Sequence, residues 1–202
     1  AAAQQTDLID SMVERAPWAA LIVITAVFVL LFCMTGSLVV PLKALLINGF
    51  SLIASLGVTS WLFEHGHLGL PQTRGLQTFI VACLMAFGFG LAMDYEVFLL
   101  ARINEYWEAG HDNDEAVARG LQRSGRIITS AAVIIIAVFL GFVSGEMISI
   151  KEIGVGLAVM VAADATLVRL LLVPATMTVL GRWNWWAPGP LTRLYGHFRQ
   201  KV

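Results

Sequence analysis

Charge is scarce in this sequence. Asp, Glu, Lys and Arg make up only 13% of its 202 residues. Soluble domains carry roughly 25%. So few charges cannot form a polar shell around a water-soluble core of this size. Hydrophobic residues make up 58% of the chain, and the mean hydropathy is +0.78, so lipid is its natural solvent. Cysteine is nearly absent: Cys33 and Cys83 both lie inside apolar runs. That excludes a disulfide framework, and no Cys/His spacing suits a metal. The four histidines, His65, His67, His111 and His197, fall in loops or the tail and suggest no metal site. There is no Gly-rich phosphate loop, so no cofactor or nucleotide is implied. The net charge of −1 argues for no nucleic-acid partner. The start, AAAQQTDLIDSMVERAPW, lacks a basic segment and carries Asp7, Asp10 and Glu14, so it does not read as a signal peptide. It also lacks an initiator Met, which suggests processing or a piece of a longer chain.

What is abundant is long apolar stretches. A spanning helix needs about 20 predominantly apolar residues. Five segments qualify: 18–35, opened by Pro17; 42–63, after Pro41; 76–101; 127–144; and 153–180, which contains Pro174. Each closes on turn chemistry, such as Thr35-Gly36-Ser37 or Gly110-His111-Asp112-Asn113. Runs such as LIVITAVFVLLF are apolar on every side, which suits helices and not the period-two alternation of spanning strands. The expected fold is an all-α membrane protein, a five-helix transmembrane bundle over 17–182. A connector precedes it at 1–16 and a tail follows at 183–202.

Basic residues set the expected orientation. Arg15, Arg74 and Lys151 fall on one side of the five spans. Lys43, Arg102, Arg119, Arg123, Arg126, Arg182, Arg193, Arg199 and Lys201 fall on the other. The second group is cytoplasmic by this rule, which makes the connector extracytoplasmic and the tail cytoplasmic. Trp183, Trp185 and Trp186 then suit an interfacial aromatic belt. Residues 102–126 read as the one sizeable loop, with DEAVARGLQRSGR as a short amphipathic surface helix.

Several charges stand where the membrane should be. An ionised side chain at the bilayer centre costs about 2.5–3.5 kcal/mol on insertion scales, so such residues face a bundle interior or a water path. The third span carries Asp94, Tyr95 and Glu96 in succession. Asp94 stands about 12 Å before Arg102, near the midplane. Gly88 and Gly90, just before it, admit a close neighbouring helix. The fifth span carries Asp164 and Arg169. Five residues correspond to about 140° around an α-helix, so these two are poor partners for each other. Each is expected to meet another helix, with Asp94 facing Arg169 or Asp164. Asn48, Thr129 and Ser130 would extend a polar path. One charge crossing about 150 mV is worth roughly 3.5 kcal/mol, enough to bias a conformational cycle.

The stretches GFGLAMDYEVFLLARINEYW, GLQRSGRIITSAA and IGVGLAVMVAADATLVRLLLVPATMTVLGRWNWWAP resemble the MMPL family of actinobacterial lipid exporters, within the RND superfamily of proton-driven transporters. The resemblance implies the last five helices of a second half, without its porter domain, the helix before that domain, or the first half. It implies a proton relay through Asp94 and Tyr95, with Glu96, Asp164 and Arg169 as further members of the charged network. It implies as partners the first half, the porter domains, membrane lipids and a lipid or glycolipid substrate. An intramembrane aspartyl protease is the enzymatic alternative, since two aspartates can share a proton. It would want a Gly-rich motif before one Asp and a Tyr before the other, whereas Asp94 precedes Tyr95 and Asp164 follows Ala163. A sterol-sensing or scaffold module shares the five-helix plan, but charges inside the membrane count against it.

Overall fold

The computed structural model describes residues 2–189, with side chains from Glu14 onward. Among the described residues every regular element is helical. In chain order these are α1 (Ala2–Thr35), α2 (Val39–Glu64), α3 (Thr78–Glu108), α4 (Asn113–Gly141), α5 (Ile148–Ala163) and α6 (Val173–Leu180). A π-helical stretch, Asp164–Leu172, joins α5 to α6 without a break. Five spans result: Glu14–Thr35, Val39–Glu64, Thr78–Glu108, Asn113–Ser144 and Ile148–Trp185. The connections at 36–38 and 109–112 lie at the end where α6 finishes. Those at 65–77 and 145–147 lie at the other.

The apolar centres match the sequence reading, but several boundaries do not. Pro17 lies inside α1, not at its start, because the helix already runs from Ala2. The expected connector 1–16 is thus helical from residue 2. Residues 102–126 are not a loop. α3 continues to Glu108 and α4 begins at Asn113, so the connection is 109–112. Two caps make so short a turn work. At the end of α3, Gly110 adopts φ +92°, its N–H donates to Trp107 O at 3.0 Å, and His111 N–H donates to Tyr106 O at 3.3 Å. That is a Schellman closure, which needs the left-handed conformation glycine allows. At the start of α4, the Asp112 carboxylate accepts from Glu115 N–H at 2.7 Å. The supposed surface helix is the first turns of α4. Hydropathy locates where lipid begins, and helicity extends past it.

Ile148–Trp185 is the most enclosed span. In its most apolar stretch 56% of residues are buried, against 11% for Glu14–Thr35 and Asn113–Ser144. Glycines let helices approach it and each other. A Cβ on Gly154 would stand 2.6 Å from Phe139 O, and one on Gly120 would stand 2.6 Å from Ile103 Cγ1 and 3.0 Å from the Ile103 backbone. Gly88 likewise seats Met160, but Gly90, expected to do the same, has nothing within 4 Å. Cys33 is exposed on the outer surface and Cys83 is half-buried, both as free thiols.

After α6 the chain folds back under the bundle through a 3-10 turn, Gly181–Trp185. Asn184 is fully buried. Its side-chain amide donates to Met177 O at 2.6 Å, and its backbone carbonyl accepts from the Ser37 hydroxyl at 2.5 Å. Trp185 stacks on Trp107 at 4.9 Å and donates to Asn113 Oδ1 at 3.2 Å. Trp183 and Trp186 remain exposed, as an interfacial belt requires, but Trp185 is a packing residue. The rest of the expected tail, residues 190–202, lies outside the described residues.

Gly120→Val should destabilise the bundle by about 1–3 kcal/mol through overpacking. Gly49→Ala, with nothing within 4 Å of its Cβ, should change stability by no more than about 1 kcal/mol. Unfolding in mixed micelles, followed by helicity, measures both; equal effects would refute the close α3–α4 crossing.

Candidate functional site

The inner face of α3 meets α2 and the π-helical stretch, and the buried charges gather there. Asp94, Tyr95 and Glu96 are consecutive, so they point about 100° apart. Asp94 is exposed on the outer face of the bundle, Tyr95 is half-buried and Glu96 is fully buried. The expected facing of Asp94 with Arg169 or Asp164 does not occur. Among the described residues Asp94 makes no ion pair.

Arg169 instead pairs with Asp164. Its Nε donates to Asp164 Oδ2 at 2.7 Å, and its Nη2 reaches the same oxygen at 2.5 Å. Nη2 also donates to Ala92 O on α3 at 2.6 Å. The guanidinium lies over the Tyr95 ring, 4.7 Å from its centroid. The five-residue spacing failed as a guide because it assumed α-helical winding. From Asp164 to Leu172 the chain winds as a π-helix, whose i→i+5 hydrogen bonds bring residues five apart onto one face. Pro174, just beyond in the first turn of α6, has no N–H to return to the preceding turn.

Glu96 has Arg169, Asp164, Lys43 and Asn48 as polar neighbours. Neither of its oxygens has a hydrogen-bond partner in the protein, nor do Lys43 Nζ, Arg169 Nη1 or Asp164 Oδ1. Lys43 is the residue the sequence reading missed. Counted there as a loop charge, it lies in the second turn of α2 and is 8% exposed. Its apolar neighbours, Leu42 and Ala44, were the available signal. Asn48 is buried as expected and donates to Ala44 O at 2.9 Å. Thr129 and Ser130 do not join the cluster: Thr129 bonds within its own helix, to Gly125 O at 2.9 Å, and Ser130 is exposed. A cavity of about 10 Å³ touches Tyr95, Asp164 and Arg169 between α3, α4 and α5.

The site thus holds two acids and two bases, all nearly buried, with one tight pair and one acid without a close partner. The two membrane aspartates form no proton-sharing dyad, since Asp164 is bound to Arg169 and Asp94 faces outward. Arg169→Met should cost about 3–5 kcal/mol, because it strands a buried Asp164. Adding Asp164→Asn should recover about 0.5–3 kcal/mol of that loss. A double-mutant unfolding cycle reads this directly, and strict additivity would refute the coupling.

The MMPL family profile matches residues 1–197. The chain is 48% identical to "Putative membrane protein SCO6666" of Streptomyces coelicolor, over 98% of this chain and 28% of that protein. It is 40% identical to "Mycolic acid-containing lipids exporter MmpL11" of Mycolicibacterium smegmatis, over 93% of this chain and 20% of the relative. It is 39% identical to "Probable trehalose monomycolate exporter MmpL3" of Mycobacterium leprae, over 92% of this chain and again 20% of the relative. The chain therefore spans between a fifth and just over a quarter of the length of these relatives. Five membrane-spanning helices, matched over nearly the whole sequence, make this chain a member of the MMPL family.

Proposed function

We propose that this chain is the proton-coupling part of a lipid or glycolipid exporter driven by the proton-motive force across the cytoplasmic membrane. The carrying observation is the buried cluster of Glu96, Asp164, Arg169 and Lys43 within the membrane-spanning helices. Buried charge of this kind is costly and typically functional in a membrane. Apolar side chains of similar volume often hold helices together as well as a buried ion pair does, so stability alone is a weak reason for the cluster. Glu96, without a close partner, is the group freest to exchange a proton inside the bundle. Asp164 and Arg169 form the switchable pair: protonating Asp164 would free Arg169 and loosen its hold on Ala92 of α3.

Asp94 plays a different part. On the exposed face of α3 it costs energy against lipid, and a second Asp-Tyr helix from elsewhere in the exporter would cover it. Tyr95, already over Arg169, then links that outer contact to the inner cluster. The bias of Lys and Arg toward the α6 end supports a cytoplasmic α6 end and an extracytoplasmic N-terminal side. The exported lipid is a substrate class that the names of MmpL3 and MmpL11 suggest for this chain. The reading is of transport and assigns no catalytic residue.

In the full-length exporter reconstituted in vesicles, Asp94→Asn should abolish proton flux and lipid export together. Wild-type rates of both would remove Asp94 from the relay. Asp164→Asn should do the same; export that continues without flux would refute proton coupling.

A further inference from the structure

The relay cluster lies deep in the bundle, and a proton must reach it from one side. Glu152 stands in the second turn of α5, near the end where α2 finishes and α3 begins. An acid at such a place is ordinarily solvated. Here it is 2% exposed, beneath the connection 65–77. Thr73 of that connection is held by its N–H donating to Phe63 O at 3.0 Å. The Thr73 hydroxyl is the polar neighbour of Glu152, and it is buried without a hydrogen-bond partner in the protein. Among the described residues no Lys, Arg or His pairs with Glu152. A buried acid without a cation contributes nothing as an ion pair and costs desolvation whenever it ionises.

One face of α2, the helix that packs against α5, presents two buried hydroxyls a turn apart, Thr59 at 0% and Ser55 at 2% exposure. Thr59 donates to Ser55 O at 2.7 Å, while the Ser55 hydroxyl has no partner in the protein. An apolar layer follows. Leu52, Leu84 and Met160 pack in one cluster, and Gly88 is where Met160 Sδ and Leu52 Cδ2 meet α3. One turn past Leu52 stands Asn48, beside Glu96. Along α5, Glu152 and Asp164 are twelve residues apart, about 18 Å of helix rise.

We propose that Glu152 is the proton-loading carboxylate at the N-terminal side of the bundle, feeding Glu96 and Asp164 through the Thr59 and Ser55 hydroxyls. The Leu52–Leu84–Met160 layer is the barrier that must part for transfer. This inference rests on the proton-coupled reading above. The step is a proton transfer without redox change. Hydronium gives a proton to a Glu152 oxygen and leaves as water. The Glu152 O–H bond then breaks as the proton passes to a chain of water and hydroxyls, whose far end protonates Glu96 or Asp164. Thr73 is a positioning residue that holds the carboxyl.

The experiment uses the full-length exporter in proteoliposomes, with an imposed pH gradient and a pH dye inside. Glu152→Gln should lower proton flux at least about tenfold, within the range general acid–base groups supply, while Glu152→Asp retains most of it. Asp164→Asn is the control. If Asp164→Asn is inactive and Glu152→Gln runs at the wild-type rate, the loading role is wrong and the coupling stands. If both run at the wild-type rate, proton coupling itself is wrong. Infrared difference spectra on acidification supply a second readout. A protonated-carboxyl band should vanish in Glu152→Gln and shift in Thr73→Val. Should Glu152→Gln fail to assemble, Thr73→Val decides: a shifted band with reduced flux supports the proposal, and an unchanged band and flux overturn it.

Discussion

Arg169 carries a charge that no water surface reaches, so the helices around it must satisfy it. It is fully buried. An isolated ion in such a place costs several kcal/mol even after relaxation. Asp164 supplies the countercharge, Ala92 O a hydrogen bond across to α3, and the Tyr95 ring a face for the guanidinium. Each of these contacts constrains an element. The pair with Asp164 requires the π winding of 164–172. The bond to Ala92 fixes the rotation of α3. That rotation in turn decides that Glu96 points inward and Asp94 outward.

The same constraint divides the polar residues into functional layers. Inside the bundle the buried acids Glu96 and Asp164 and the cations Lys43 and Arg169 are balanced in number and unevenly paired. Toward the N-terminal side lies an uncharged column of hydroxyls beneath a lone acid, separated from the cluster by an apolar layer. At the α6 end, Asn113, Asn184, Ser37 and two stacked tryptophans lock the helix ends to one another. The hydrogen bonds there run to backbone carbonyls and to Asn113 Oδ1. Buried polar atoms without a partner occur both there, at Asn184 Oδ1 and Asn104 Oδ1, and deeper in the bundle, at Glu96, Asp164 Oδ1 and Ser55.

If the bundle works as proposed, alternating access would need an element with two arrangements, and the π stretch is suited to that. π-Helical turns are rare and concentrate at functional sites. Between Ala163 and Val173 the winding differs from the flanking α5 and α6, and Pro174 withholds one backbone donor at its end. Reverting to α-helical winding would carry Arg169 and Asp164 onto different faces. The ion pair and the helix winding are thus one coupled degree of freedom, which a proton on Asp164 would bias.

The sequence by itself determined that the chain is a bundle of five membrane helices, because long runs apolar on every side have no other stable form in lipid. It also marked Asp94, Tyr95, Glu96, Asp164 and Arg169, since charge within such runs stands out at once. It could not assign their partners. Which way each of three consecutive residues points depends on the rotation of α3 against its neighbours. Whether residues five apart meet depends on a local winding that composition does not record. Lys43 and Glu152 escaped notice for the same reason: each lies near the end of an apolar run, where a charge is ordinarily solvated. Only the packing of α2, α3, α5 and the 65–77 connection decides that these two are buried. Hydropathy reports what a segment prefers to touch, and tertiary structure decides what each side chain does touch.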